Sequence, residues 1–274
     1  MNYIELNITL TTQDPWADIF VADLAEVGFE SFVETKSGLQ SYIQEKQFDE
    51  AMLLPYKNHE AVEKVEFKLI EDENWNATWE AGFEPVIIED RLAIVAPFHK
   101  GEFDQKMIVT IQPQMSFGTG HHQTTWLASK RLFDLDVKDL AVLDMGTGTG
   151  ILAIVAEKLG AKSVFAPDID EWAYKNAQDN VAMNDCTKIE LALGGDELLV
   201  GKKFDLIIAN INKNILLAHM HTYASVLNTG GLLLLSGFFT TDESDLTAEA
   251  SKHDLVFDRI DNKDEWALMQ FKKK

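Results

Sequence analysis

Cysteine is almost absent from this 274-residue chain: Cys186 stands alone. No intrachain disulfide is therefore possible, and nothing points to an oxidising compartment. Long apolar runs are missing too, since no stretch approaches the ~18 uninterrupted apolar residues of a membrane-spanning helix. The opening MNYIELNITLTTQDP has no basic leader followed by an apolar core, so a cytoplasmic protein without membrane association is expected. Cations are scarce, with 24 Lys and Arg against 45 Asp and Glu and a formal net charge of -21. That balance argues against direct nucleic-acid binding, which relies on Lys and Arg to neutralise phosphates. Acidity keeps a protein soluble, and it also suits a basic protein partner. Internal repeats and low-complexity tracts are absent.

What is present divides into unequal parts. Residues 1–70 read as a small α+β unit in the order β-α-β-β-α-β. In YIELNITL the apolar residues Ile4, Leu6, Ile8 and Leu10 share one face at period two, as in a half-buried strand. Asp14 offers an N-cap with Pro15 at the first helical position, WADIFVADLAEV has helical spacing, and Gly28 can end that helix. FESFVET and LQSYIQE form a hairpin across Lys36-Ser37-Gly38, a short helical stretch follows around FDEAMLL, and VEFKLI is the last strand. This is the ferredoxin-like split motif, a frequent binding platform that names no chemistry by itself.

Residues 71–84, EDENWNATWEAGFE, read as a linker helix with Trp75 and Trp79 on one face. Residues 85–274 form the larger domain. Its first strands, PVIIED, RLAIVAP and MIVTIQP, lead into SFGTGHHQTTW, and a helix follows in TTWLASKRLF. Beyond Val137, the short apolar runs AVLDMG, SVFAPDI, KIELAL, FDLIIAN and GLLLLSG alternate with helical segments, the pattern of a doubly wound α/β sheet. The last two strands, LVFDRIDNK and EWALMQFKK, are joined by only a turn, so an antiparallel hairpin closes an otherwise parallel sheet.

AVLDMGTGTGILAIVAEKLG is a strand, a glycine loop and a helix, which presents backbone N–H groups and a helix N-terminus at a strand's carboxyl end. Gly146, Gly148 and Gly150 occupy positions one, three and five, and Ile151 takes the sixth place, where the nicotinamide fingerprint needs glycine. Asp144 lies two residues before the first glycine; it would repel a pyrophosphate and attract the cationic end of an amino acid. Asp168 ends the second strand, where a carboxylate can accept both hydroxyls of an unphosphorylated ribose, or alternatively serve as a cap or turn residue. Asp170 can cap the helix beginning at Glu171. An adenosine without phosphates and with a cationic tail describes S-adenosylmethionine. Asn210, at the end of the fourth strand, can orient a substrate amine without adding charge, or alternatively satisfy turn backbone.

FGTGHHQTT, VLDMGTGTGILAI, DID, ANI and GGLLLLSG together resemble the class I S-adenosylmethionine-dependent methyltransferases that modify the eleventh large-subunit ribosomal protein (PrmA-like). The resemblance covers essentially the whole chain. It implies a class I (Rossmann-like) methyltransferase domain behind a small substrate-recognition domain, and methyl transfer to lysine side chains and the N-terminal amine of that ribosomal protein. It also implies S-adenosylmethionine contacts at Thr125, Gly146, Asp168 and Asn210. Related amine methyltransferases carry Asn-Pro-Pro-aromatic at the fourth strand, where this chain has Asn210-Ile211-Asn212-Lys213.

SFGTGHHQTTW is then expected to be a cofactor lid. Gly118 and Gly120 supply flexibility and Thr125 a hydroxyl, beside the backbone of Gly146 and Gly148. Adjacent histidines such as His121 and His122 diverge, and no Cys or His cluster lies near, so no metal is expected. The remaining alternatives are a class I methyltransferase with another protein or a small molecule as substrate, and a non-enzymatic S-adenosylmethionine-binding module.

Overall fold

The computed structural model describes residues 2–70, 80, 82–114 and 116–274. The chain divides into two compact units, Met1–Gly82 and Phe83–Lys274. The expected linker helix, with Trp75 and Trp79, falls largely outside the described residues.

In the first unit, β1 (Tyr3–Leu10), β2 (Ser31–Thr35), β3 (Gly38–Gln44) and β4 (Val62–Ile70) form one antiparallel sheet in the order β2-β3-β1-β4. That order is the split motif expected from the sequence. Period-two alternation in β1 puts Ile4, Leu6, Ile8 and Leu10 into the core. Helix α1 (Trp16–Glu26) lays Ala17, Phe20 and Leu24 over them at helical spacing. Two local expectations need correction. Asp14 does not cap α1: the N-cap position is Pro15, no side chain caps the helix, and the N–H of Ala17 donates to the Gln13 carbonyl. The second helical stretch is a 3-10 turn, Glu50–Leu53, running into the four-residue α2 (Leu54–Lys57). It still buries Leu53 and Tyr56, and the Tyr56 ring meets Phe20 edge-on at 5.2 Å.

The second unit begins with β5 (Val86–Ile88), β6 (Leu92–Val95) and β7 (Met107–Thr110), a three-stranded sheet in chain order in which β6 and β7 are parallel. Helix α3 (Gln123–Phe133) leads into the main sheet. Its strands are β8 (Ala141–Met145), β9 (Ser163–Asp168), β10 (Ile189–Leu193), β11 (Phe204–Asn210), β12 (Leu227–Phe239), β13 (Leu255–Lys263) and β14 (Trp266–Lys273), ordered β10-β9-β8-β11-β12-β14-β13. The intervening helices are α4 (Ile151–Lys158), α5 (Glu171–Met183), α6 (Lys213–Val226) and α7 (Glu243–Ser251).

Apolar runs are continuous because both sheet faces are covered. Alternate residues enter opposite cores: Val142, Leu206, Ile208 and Leu234 join one, and Leu143, Ile207, Leu233 and Leu235 the other. The antiparallel hairpin is present, and its second strand inserts between β12 and β13. Strand order reverses on either side of β8, so a crevice opens at the carboxyl ends of β8 and β11, where doubly wound sheets bind ligands.

Candidate active site

A cleft of about 1010 Å³ occupies this crevice. Gly146 and Gly148 line it from the glycine loop, Asp168 from the end of β9, Asn210 from the end of β11, and Ser116 and Phe117 from the SFGTG segment. The loop is held by its own amides. The N–H of Gly146 donates to the Pro167 carbonyl at 3.0 Å, and that of Gly148 to Asp168 Oδ2 at 2.8 Å. At φ +56°, Gly148 is left-handed, and a Cβ there would collide with the Phe117 carbonyl oxygen.

That collision shows how close the two motifs stand. Thr149 donates its N–H to the Phe117 carbonyl at 2.9 Å and its hydroxyl to the Gly118 carbonyl at 2.6 Å. A Cβ on Gly120 would come within 2.6 Å of the Ile94 Cδ1. The glycines expected to give a lid its flexibility therefore serve close approach, and the segment lies docked on the glycine loop. Gly118 and Gly120 sit behind Ser116 and Phe117, which form the cleft wall.

Asp144 is also placed differently from the expectation of a contact to a cationic tail. It is 1% exposed and lies behind the loop, where its Oδ2 accepts from the Thr147 hydroxyl at 2.6 Å and from the Ala153 N–H at 3.1 Å. Its carboxylate thus clamps the loop and the first turn of α4. Burial pushes its pKa up to about 6, with the Asp168 charge adding to the effect.

Asp168 accepts the Gly148 N–H on Oδ2 and the Asp170 N–H on Oδ1 at 3.0 Å, and it faces the cleft. Each oxygen retains a lone pair for a further donor. Asp170 caps α5 as expected, accepting from the N–H groups of Trp172 and Ala173. At the end of β11 the local roles divide. Asn212 caps α6 by accepting the Ile215 N–H, whereas Asn210 turns its Nδ2 toward the Thr125 hydroxyl at 3.4 Å. The Asn210 Oδ1 is buried without a partner among the described residues. Thr125 itself is fully buried in the first turn of α3, behind the wall that Thr124 contributes.

The histidines diverge. His121 Nε2 reaches the Glu84 carbonyl at 2.9 Å, and His122 is the N-cap of α3, its Nδ1 accepting from the Thr124 N–H and hydroxyl. Burial lowers the His122 pKa below the usual imidazole range, so the ring is neutral at pH 7. His219 and His221 also part: His219 Nδ1 lies 3.0 Å from Asp196 Oδ2, while His221 neighbours Thr222. Among the described residues, no group of three or more His, Cys, Asp or Glu side chains could hold a metal ion.

Several site residues escape sequence reasoning. Asp196, His219 and Trp266 line the cleft without a motif of their own. More informative is a ladder of asparagines four apart on the buried face of α5 and the turn after it. Asn184 Oδ1 accepts from the Thr110 N–H and its Nδ2 donates to the Thr110 carbonyl, at 2.9 and 2.6 Å. Asn180 Oδ1 accepts from the Gln112 N–H at 2.8 Å and its Nδ2 donates to the Thr149 carbonyl at 2.8 Å. Asn176 Nδ2 donates to the Gln112 carbonyl at 3.2 Å. The amides fix the segment that leads into FGTG and join it to the glycine loop. Their spacing of four was visible in the sequence, but their partners were not.

The family model for ribosomal protein L11 methyltransferase (PrmA) matches residues 10–274. A ribosomal protein L11 methyltransferase of Porphyromonas gingivalis is 43% identical, with 99% of this chain and 98% of that protein covered. One from Phocaeicola vulgatus is 41% identical over 99% of each. Among solved structures, a ribosomal protein L11 methylase from Lactobacillus delbrueckii subsp. bulgaricus superposes with a TM-score of 0.65 at 34% identity, covering 70% of this chain and all of that one. A methyltransferase from Pyrococcus furiosus, at a TM-score of 0.52 and 18% identity, shares the fold alone. No helix of the described residues is long and apolar enough to cross a membrane. By the extent of the family match and the identity to these relatives, the chain belongs to the ribosomal protein L11 methyltransferase family.

Proposed function

We propose that this protein transfers methyl groups from S-adenosylmethionine to amines of the eleventh large-subunit ribosomal protein, at lysine side chains and the N-terminal amine. The observation that carries this reading is Asn210, whose Oδ1 is a buried acceptor with no partner among the described residues, at the floor of the cleft. An acceptor in that state costs free energy unless a ligand donates to it. The names borne by the relatives supply the substrate.

The residues present fit the cofactor. Asp168 offers lone pairs for ribose hydroxyls, the Gly146–Gly148 backbone gives a cradle, and Asn210 with Thr125 closes the side toward α3. S-adenosylmethionine, when bound, supplies an electrophilic methyl group on a cationic sulfur. The chain's own task is to present a neutral nitrogen in line with it. A lysine amine, with a usual pKa of about 10.4, is mostly charged at pH 7. Met145 and Ile211 form apolar wall that disfavours the charged form by desolvation. The Asn210 Oδ1 accepts one N–H and so orients the remaining lone pair. His122 is not assigned as a base, because its Nδ1 is already engaged in capping α3.

Residues 1–70 are assigned to recognition of the ribosomal protein and 85–274 to methyl transfer. The net charge of -21 suits a basic partner and favours encounter. Mass spectrometry tests the whole reading with purified protein, S-adenosylmethionine and ribosomal protein. Methyl increments on the eleventh large-subunit protein are expected, and Asp168→Ala abolishes them. Cofactor binding without increments on that protein sends the search to another amine or to a sensor role.

A further inference from the structure

Rings from separate segments gather beside Asn210. Phe117 comes from FGTG, His122 is the α3 N-cap, Phe239 closes β12 and Trp266 opens β14. Trp266 lies between His122, 4.5 Å away at 72°, and Phe239, 4.3 Å away at 35°. Phe117 stands 5.1 Å from His122. Phe117, His122 and Trp266 line the same cleft as Asn210, and Phe117 is 52% exposed there. Among the described residues, neither lysine nor arginine contributes to the cleft wall. Burial lowers the His122 pKa, which disfavours a charged imidazole beside these rings.

Aromatic faces attract cations, and alkylated ammonium groups most usefully, because their methyl groups also gain from apolar contact. We propose that Phe117 and Trp266 form an aromatic subsite that selects the alkylated ammonium form of the target amine and retains it between successive transfers. The inference rests on the function proposed above. In each transfer a nitrogen–carbon bond forms as the carbon–sulfur bond breaks. Sulfur keeps that bond's electron pair, and nitrogen becomes cationic. Before a further transfer the nitrogen must lose a proton to solvent, and the rings hold the amine while this happens. A purely hydrophobic channel would hold an uncharged group of the same shape equally well.

Calorimetric titration in the presence of S-adenosylhomocysteine distinguishes the two. The probes are N-acetyl-trimethyl-lysine amide and its uncharged tert-butyl isostere. Wild-type protein is expected to prefer the cation by about tenfold. Trp266→Leu and Phe117→Leu each remove most of that preference, and Trp266→Phe keeps it. Should Trp266→Leu fail to fold, Phe117→Leu decides, since that side chain is half exposed. Equal affinity of wild type for both probes, no binding of either at millimolar concentration, or an unchanged preference in the leucine variants overturns the subsite. The function itself is judged separately, by whether wild type adds any methyl groups to the ribosomal protein. A wild type that methylates but shows no charge preference sinks only the aromatic subsite.

Discussion

Asn180 is fully buried, and its amide bridges the Gln112 N–H to the Thr149 carbonyl, each at 2.8 Å. Asn180→Ala strands one buried donor and one buried acceptor. Each orphaned group costs about 1–3 kcal/mol, so the fold loses about 2–6 kcal/mol before any cavity is counted. Against a total stability of about 5–15 kcal/mol that is a large share. The loss also reaches the site, because Thr149 donates to the carbonyls of Phe117 and Gly118. Once the competent loop becomes the minority conformation, each further ~1.4 kcal/mol lost by the loop alone lowers cofactor affinity about tenfold. Urea unfolding with and without S-adenosylhomocysteine reads both effects: the midpoint falls, and the ligand-induced rise shrinks. A stability loss below about 1 kcal/mol with unchanged affinity would refute the reasoning, since water would then be replacing the amide without cost.

Gly148→Ala is expected to cost at least a hundredfold in S-adenosylhomocysteine affinity, because a Cβ at φ +56° meets the Phe117 carbonyl; calorimetry showing wild-type affinity contradicts this. Asp144 has a folded pKa of about 6 against an ordinary 3.8, so its buried carboxylate destabilises the fold above pH 6 and is relieved as pH falls toward 4. The stability of wild type relative to Asp144→Asn should therefore rise by about 3 kcal/mol between pH 7 and pH 4, and a difference independent of pH argues against it. Association with the ribosomal protein should slow steeply as salt is raised, and indifference to salt removes the role given to the acidic surface.

The main sheet was legible because β8, β9, β11 and β12 are short apolar runs of the kind that must be covered on both faces, and helical segments alternate with them. The glycine loop was legible for a related reason: Gly146, Gly148 and Gly150 between a strand and a helix leave few other backbone paths. Orientation was not. Asp144 carries a charge suited to a cationic ligand, yet its position on β8 turns it into the loop, where Thr147 and Ala153 take it up. FGTG looked mobile from composition, and only the contact with Thr149 and Ile94 explains its glycines. The partners of Asn184 and Asn176 lie 74 and 64 residues upstream, a separation over which no local pattern carries information. The aromatic subsite was illegible for the same reason, since Phe117 and Trp266 are far apart in the chain.

Among the described residues, strand β7 is the outer strand of its sheet and pairs with β6 alone. An edge of this kind exposes a row of N–H and C=O groups to which any foreign strand can add. Along Thr110 and Gln112 that row is already taken, because alternate backbone groups face α5 and meet the amides of Asn176, Asn180 and Asn184, while Ile111 turns its N–H the other way to Val95. The three asparagines thus act as a counterfeit neighbouring strand, built from a helix and therefore unable to propagate. They leave that stretch nothing to offer another chain, so a foreign strand finds no free row there to extend.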